Sequence, residues 1–381
     1  MGHRSVLLVG RKTRTDADVV EIPWRRGPKG LLRTTKWLER TFGLQYLYSP
    51  RFRALQGIIP PETDILHLHS LHGVEGYADI GALPALSRRL ACVITLHDMW
   101  MLTGHCAYSG SCERWRTGCG HCPDLTLYPS VPKDGTRLNW LRKRWVLGRS
   151  RLSVVAPSEW LAAKARASPF FRGLPVTVVP NAVDTEIFRP HEKGSARDAL
   201  GLPRDKVIVL LVAHRLELVW KGMPYALQAL NRIADPRVLV VLVGQASESL
   251  TRELKRPWTL VPYQSDRSRL AQLYAAADML VMPSVEEVFG MVAAEAMACG
   301  TPVVAHAAGG LPEVVGEGEG GLLVPSRDVT ALAEAITDLA DNETKRRELG
   351  RRAALRASER FSLRDQARQY EAVYRDTLDA R

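Results

Sequence analysis

The sequence predicts an α/β protein made of two doubly wound domains. Three observations predict it. Short Val/Ile/Leu runs alternate with helical stretches along almost all of the 381 residues. The runs are continuously apolar, as strands of parallel sheets covered on both faces must be. A cluster of Pro and Gly between Ser168 and Pro175 separates one series of runs from the next, and the length suits two domains of ordinary size.

The first series of candidate strands is Ser5–Gly10, Ile65–His69, Cys92–Leu96, Ser153–Ala156 and Thr177–Pro180. The second is Val207–Ala213, Val238–Gly244, Met279–Pro283, Pro302–Ala305 and Gly321–Val324. A final helix from about Ser362 to Leu378 carries Ala367, Tyr370, Val373 and Tyr374 at helical spacing and needs a surface to cover. The expected division is residues 1–172 with 362–381 as one domain and 173–361 as the other. Ligands of doubly wound sheets lie beyond the carboxyl ends of the strands, so the expected site is the cleft between two such domains.

Hydrophobic residues make up 46% of the chain, enough for real cores, and no apolar run approaches the length of a membrane-spanning helix. The N-terminal stretch reads as a first strand and lacks the pattern of a signal peptide. With six cysteines, this leads us to expect a reducing cytoplasm. The net charge of +11 is uneven: residues 1–175 hold 26 Lys/Arg against 13 Asp/Glu, leaving 26 basic and 28 acidic groups to the rest. Two segments concentrate the excess. Trp24–Arg53 contains Arg25, Arg26, Lys29, Arg33, Lys36, Arg40, Arg51 and Arg53 against Glu39 alone. Arg137–Arg151 sets Arg142, Lys143, Arg144 and Arg149 around Trp140 and Trp145. Basic groups with interfacial Trp suit an anionic membrane surface. A solvated basic face is the plainer alternative, and no nucleic-acid motif accompanies the charge.

The segment Glu287–Pro302 carries the most chemistry. Met291–Cys299 reads as a helix apolar nearly all round, stopped by Gly300 and Pro302. Glu295 sits inside it, and a buried carboxylate is costly unless something pairs with it. Glu287 lies eight residues upstream, just before the Gly290 that opens the helix. Free amides and the positive end of the helix dipole therefore stand beside Glu287, a geometry for holding an anion. Upstream, Arg215 and Lys221 follow the strand ending at Ala213, where a bidentate and a point cation suit a diphosphate. Two carboxylates flanking an anion hole suit a ligand with both hydroxyls and phosphates.

These residues carry a family resemblance. Arg215-x5-Lys221-Gly222, Pro283-Ser284 and Glu287-x-Phe-Gly-x4-Glu295-Ala-Met-Ala-Cys-Gly-Thr-Pro closely resemble the retaining family-4 glycosyltransferases of GT-B fold. So do Ala156-Pro-Ser158, Val179-Pro-Asn181-Ala-Val-Asp184-x3-Phe188-x-Pro190 and Gly309-Gly310. The likeness runs from about residue 64 onward. It implies transfer of a glycosyl group from a nucleotide diphosphate sugar, of UDP or GDP type, to a hydroxyl acceptor with retention and without a catalytic metal. Arg215 and Lys221 would neutralise the diphosphate, Glu295 would bind the ribose hydroxyls and Glu287 the donor sugar. The amides of Gly290, Met291 and Val292 would lie near the phosphate or sugar. His97, at the end of a first-domain strand, would lie against the sugar as a positioning group.

The resemblance leaves some features unabsorbed. His67 and His69 share one strand face and could take a metal, though loop packing beside His72 is the favoured reading. Cys106, Cys112, Cys119 and Cys122 fall within seventeen residues in a Gly/Ser/Arg-rich segment. A structural zinc is the first reading of that spacing, with two disulfides, reduced thiols or an iron–sulfur cluster as the others. The wording of this segment is similar to a bacterial exopolysaccharide and colanic-acid-type subgroup. Cys92 and Cys299 read as core residues. The chain departs from the family after the first strand, where Val9-Gly10-Arg-Lys-Thr-Arg14 has one Gly and then basic residues in place of a Gly-Gly loop. The first helix also reads as missing or short there. Both suit an anionic acceptor, such as a diphosphate-linked lipid, or a more open cleft. The alternative function is a non-catalytic, zinc-bearing binding module on a transferase scaffold.

Overall fold

The continuously apolar runs fold as parallel strands, with every ladder between named strands parallel. The computed structural model describes residues 2–12, 15–23, 27–72 and 78–381. Thr13, Arg14, Trp24, Arg25 and Arg26 of the basic segments lie outside the described residues. The chain divides into two units. The first is Met1–Ala156, Leu161–Val178 and Glu371–Arg381; the second is Pro157–Trp160 and Val179–Tyr370.

In the first unit β1 (Leu7–Val9) pairs with β2 (Val19–Glu21). A separate four-stranded sheet runs in the order β3 (Ile65–His69), β4 (Ala91–Thr95), β5 (Ser153–Ala156), β6 (Val176–Val178). Its helices are α1 (Lys29–Phe42), α2 (Pro50–Arg53), α3 (Leu83–Arg89), α4 (Thr136–Leu147) and most of α5 (Glu159–Ala167). The described residues between β1 and β2 contain no helix, and α1 starts only at Lys29, in line with the shortened first crossover expected. Strand β2 is not among the expected strands because its apolar run is only Val19-Val20 before the exposed Glu21.

The second unit is one six-stranded sheet. Its strands are β7 (Val207–Arg215), β8 (Val238–Gln245), β9 (Trp258–Val261), β10 (Met279–Met282), β11 (Val303–His306) and β12 (Gly321–Val324), in the order β12-β11-β10-β7-β8-β9. Strand β9 was missed because it is an edge strand with every other residue exposed, flanked by Pro257 and Pro262. Helices α6 (Lys193–Leu200), α7 (Met223–Arg232), α8 (Glu248–Arg252), α9 (Arg267–Ala276), α10 (Met291–Ala298), α11 (Leu311–Val315), α12 (Val329–Asp341) and α13 (Glu343–Arg360) complete it. Helix α14 (Leu363–Asp379) has its residues to Tyr370 in the second unit and the rest in the first.

Strand β7 shows why the runs are continuous. Ile208 and Leu210 pack into the core that holds Ala293, Ala296 and Met297 of α10. Val207, Val209 and Leu211 pack into the opposite core with Leu227 and Leu230 of α7 and Leu332 and Ile336 of α12. Both faces of the strand are therefore dry. The chain winds from β7 outward to β9, then jumps back to β10 beside β7 and winds the other way. The carboxyl ends of β7 and β10 are thus a topological switch point.

Candidate functional site

Arg215 ends β7, and Lys221 follows in a 3-10 turn over Val219–Lys221. Gly222 has φ +66°, and a Cβ there would stand 1.9 Å from the carbonyl oxygen of Pro283. The Val285 amide donates to the Trp220 carbonyl at 2.9 Å. The turn after β7 and the loop after β10 are therefore locked together at the switch point. The result is an ion pair: Lys221 Nζ donates to Glu287 Oε2 at 2.8 Å, with side chains 22% and 12% exposed.

The Glu287 backbone is held from a third direction. The Gly310 amide donates to the Glu287 carbonyl at 2.8 Å, and the Ser158 hydroxyl donates to the Val288 carbonyl at 2.6 Å. Gly309, at φ +61°, leaves no room for a Cβ, which would fall 1.8 Å from that same Glu287 carbonyl oxygen. The Gly-Gly and Pro-Ser motifs seen in the sequence thus act as a brace for the glutamate loop.

Helix α10 opens at Gly290, φ 101°, with no side-chain cap. Its first amides, including Met291 and Val292, are left to whatever lies in front of them. Glu295 lies one turn further on. The buried Tyr274 of α9 donates its hydroxyl to Glu295 Oε2 at 3.0 Å. Burial pushes the Glu295 carboxyl above the ordinary range, partly offset by that hydroxyl and by the charge of Arg267. Tyr274 is the polar partner that the sequence pattern did not name, since it comes from another helix. Arg215 is exposed and on the same strand end.

In the first unit His97 follows β4. Its Nε2 stands 2.9 Å from His69 Nδ1, with rings 5.2 Å apart and inclined at 27°. His67 uses both ring nitrogens, on Tyr374 Oη at 2.8 Å and Thr95 Oγ1 at 2.7 Å. Burial first, then the neighbouring rings, push His67 down to about 3 and His69 to about 4. Burial lowers His97 as well. His67 is the packed imidazole of the three, while His69 stands exposed at the end of β3. His72 pairs with Asp98 at 2.6 Å.

Cys106, Cys112, Cys119 and Cys122 line one small cavity with His105. None is in a disulfide. The Gly104 amide donates to Cys119 Sγ at 3.2 Å, and His105 Nε2 lies 3.3 Å from Cys122 Sγ. Burial pushes the Cys106 thiol up to about 12 and Cys119 to about 11. Among the described residues no group of three or more His, Cys, Asp or Glu is gathered to hold a metal ion. The four thiols share a cavity without forming a coordination sphere.

Two units built on parallel sheets, one with its strand order reversing beside an uncapped helix start, fit the class of glycosyltransferases of GT-B fold. The family model for Glycosyltransferase Family 4 matches residues 1–187, and that for glycosyl transferases group 1 matches residues 193–356. A D-inositol 3-phosphate glycosyltransferase of Xylanimonas cellulosilytica is 38% identical over 299 residues, 71% of this chain and 67% of that one. One from Stackebrandtia nassauensis is 37% identical over 320 residues, 75% and 69% of the two chains. Sucrose-phosphate synthase from Thermosynechococcus elongatus aligns with TM-score 0.70 at 25% identity, covering 95% of this chain and 84% of its own. HepE from Anabaena, solved with UDP, aligns with TM-score 0.64 at 23% identity over 85% and 82%, a likeness of fold. The chain belongs to the family-4 glycosyltransferases.

Proposed function

We propose that the protein moves a sugar from a nucleotide diphosphate sugar, of UDP or GDP type, to a hydroxyl acceptor, with retention and without a catalytic metal. The observation that carries this reading is the Lys221–Glu287 pair set beside the uncapped amino end of α10. As the glycosidic bond breaks, charge gathers on the β-phosphate of the leaving nucleotide. Arg215, Lys221 and the amides of Gly290, Met291 and Val292 are preorganised donors for that charge. With the donor bound, Lys221 exchanges Glu287 for the diphosphate, which releases Glu287 to orient the sugar hydroxyls. Glu295, steadied by Tyr274, takes the ribose hydroxyls. The resemblance alone assigns His97 a polar contact with the transferred sugar, and it alone supports retention.

The acceptor is read as an anionic molecule with a free hydroxyl, such as a lipid-linked glycan. Two relatives named for a phosphorylated polyol and the basic excess of residues 1–175 support that. A structural zinc on the four cysteines and a place at the inner face of the cytoplasmic membrane belong to the same reading. The cysteine spacing and the cavity the thiols share support the first, which requires the side chains to close up on the ion, and the charge distribution supports the second. Thermal shift with UDP and GDP, followed by donor hydrolysis and product anomeric analysis by NMR, tests the proposal. Absence of stabilisation by either nucleotide, with no hydrolysis of any donor screened, would reject it.

A further inference from the structure

Helix α4 is apolar on two opposite sides. Its inner side is packed, with Trp140, Val146 and Leu147 buried. Asn139 donates to the Gly43 carbonyl at 3.0 Å, and Arg142 is committed to Asp79 at 3.1 Å and to the carbonyls of Gln45 and Tyr46. The orientation of the helix is therefore firmly set. On the other side Leu138, Leu141 and Trp145, spaced i, i+3, i+7, are 55%, 41% and 54% exposed. That spacing makes one continuous stripe. Arg137 and Arg144 run along one side of it, and the Arg149 guanidinium lies over the Trp145 ring at 4.5 Å.

Helix α1 adjoins. Its carboxyl end at Gly43 abuts the start of α4 so closely that a Cβ on Gly43 would stand 1.8 Å from the Lys133 carbonyl oxygen. It has no buried residue. Lys29, Arg33, Lys36 and Arg40, spaced i, i+4, i+7, i+11, form an exposed basic stripe, with Trp37 57% exposed at its edge.

We infer that the outer face of α4, with the basic stripe of α1, docks on an anionic lipid bilayer. This gives the membrane contact of the proposed function a surface and does not depend on the transfer chemistry. Leucines with a tryptophan, bordered by arginines, match the boundary between acyl chains and acidic headgroups. A second copy of the chain fits poorly, because pairing the stripe with itself would bring both sets of Arg137, Arg144 and Arg149 together. Each basic group near an anionic surface strengthens binding roughly fivefold, an effect that salt weakens.

Co-sedimentation with vesicles of phosphatidylcholine, with and without phosphatidylglycerol, tests this. The expected result is binding at low salt that requires phosphatidylglycerol and falls steeply with added salt. Leu141→Ser with Trp145→Ser should weaken binding by roughly tenfold or more, and Arg137→Glu with Arg144→Glu by a similar factor. Both variants should keep the parent's melting curve and donor hydrolysis. The melting curve shows whether a variant is folded, and the charge reversal stands as an independent check if the serine pair is not. Equal binding to neutral vesicles, unchanged binding by both folded variants, or a dimer that separates when Trp145 is replaced would overturn it.

Discussion

Lys221 Nζ sits 2.8 Å from Glu287 Oε2, across 66 residues of chain, and joins the turn after β7 to the loop after β10. Both side chains are largely out of water, so removing one leaves the other without compensation. Lys221→Ala or Arg215→Ala should each lower turnover by roughly 10²-fold, the usual loss of one preorganised donor. In stability, Lys221→Ala with Glu287→Ala should cost less than the sum of the single changes. Steady-state kinetics and a denaturation cycle check both; near-normal turnover in both single cation variants would remove the donor-site assignment.

Gly309→Ala tests the brace behind Glu287. The new Cβ would collide with the Glu287 carbonyl oxygen, and the backbone there is left-handed. A loss of roughly 2–4 kcal/mol is expected, together with a larger fall in turnover than in the melting temperature alone would explain. Urea unfolding with matched kinetics would show it, and an alanine variant of parental stability would contradict the geometry.

Tyr274→Phe removes the hydroxyl held by Glu295 and leaves the ring in place. About 1–2 kcal/mol of stability should go, as for one hydrogen bond to a carboxylate. The Glu295 carboxyl, already raised by burial, should rise further. The expected signature is a higher KM for the donor at low pH with kcat less affected.

Stability should fall on acidification. His67, half-buried with both ring nitrogens bonded, is lowered to about 3 in the fold, whereas in the unfolded chain it takes a proton near 6.5. The unfolded state therefore binds more protons between those values, and stability is lost as pH falls from about 6.5 toward 3. Denaturation across that range, compared with a His67→Gln variant, should show a shallower slope in the variant. An unchanged slope would mean the His67 imidazole is not held neutral.

Protein made under reducing conditions should carry about one zinc, lost in Cys119→Ser with Cys122→Ser. Elemental analysis finding none in the parent would leave the four as free thiols, with Cys106 and Cys119 held protonated by burial.

Much of the fold was legible because its signals are local. Strands β7, β8 and β10 are apolar on both faces, and that dryness is written directly as unbroken Val/Ile/Leu runs. Strand β9 was not legible, because Trp258-Thr259-Leu260-Val261 is a short run broken by Thr259 and closed in by Pro257 and Pro262. The 40 residues between β4 and α4 hold a single 3-10 turn. Polar contacts between distant positions order them, such as Trp100 Nε1 on Gln45 Oε1 at 3.0 Å and the buried Lys143 ammonium on the Thr103 carbonyl at 3.0 Å.

The sequence by itself determined the two series of strands, the helix stops at Gly300 and Pro302, and the residue types of the donor site, since spacing and turn residues act over a few neighbours. The tertiary structure alone decided that Lys221 meets Glu287, that Tyr274 meets Glu295, that four thiols line one cavity, and that α4 turns a leucine–tryptophan stripe outward. Those facts depend on which strand lies beside which, and strand order is settled by burial of the whole sheet.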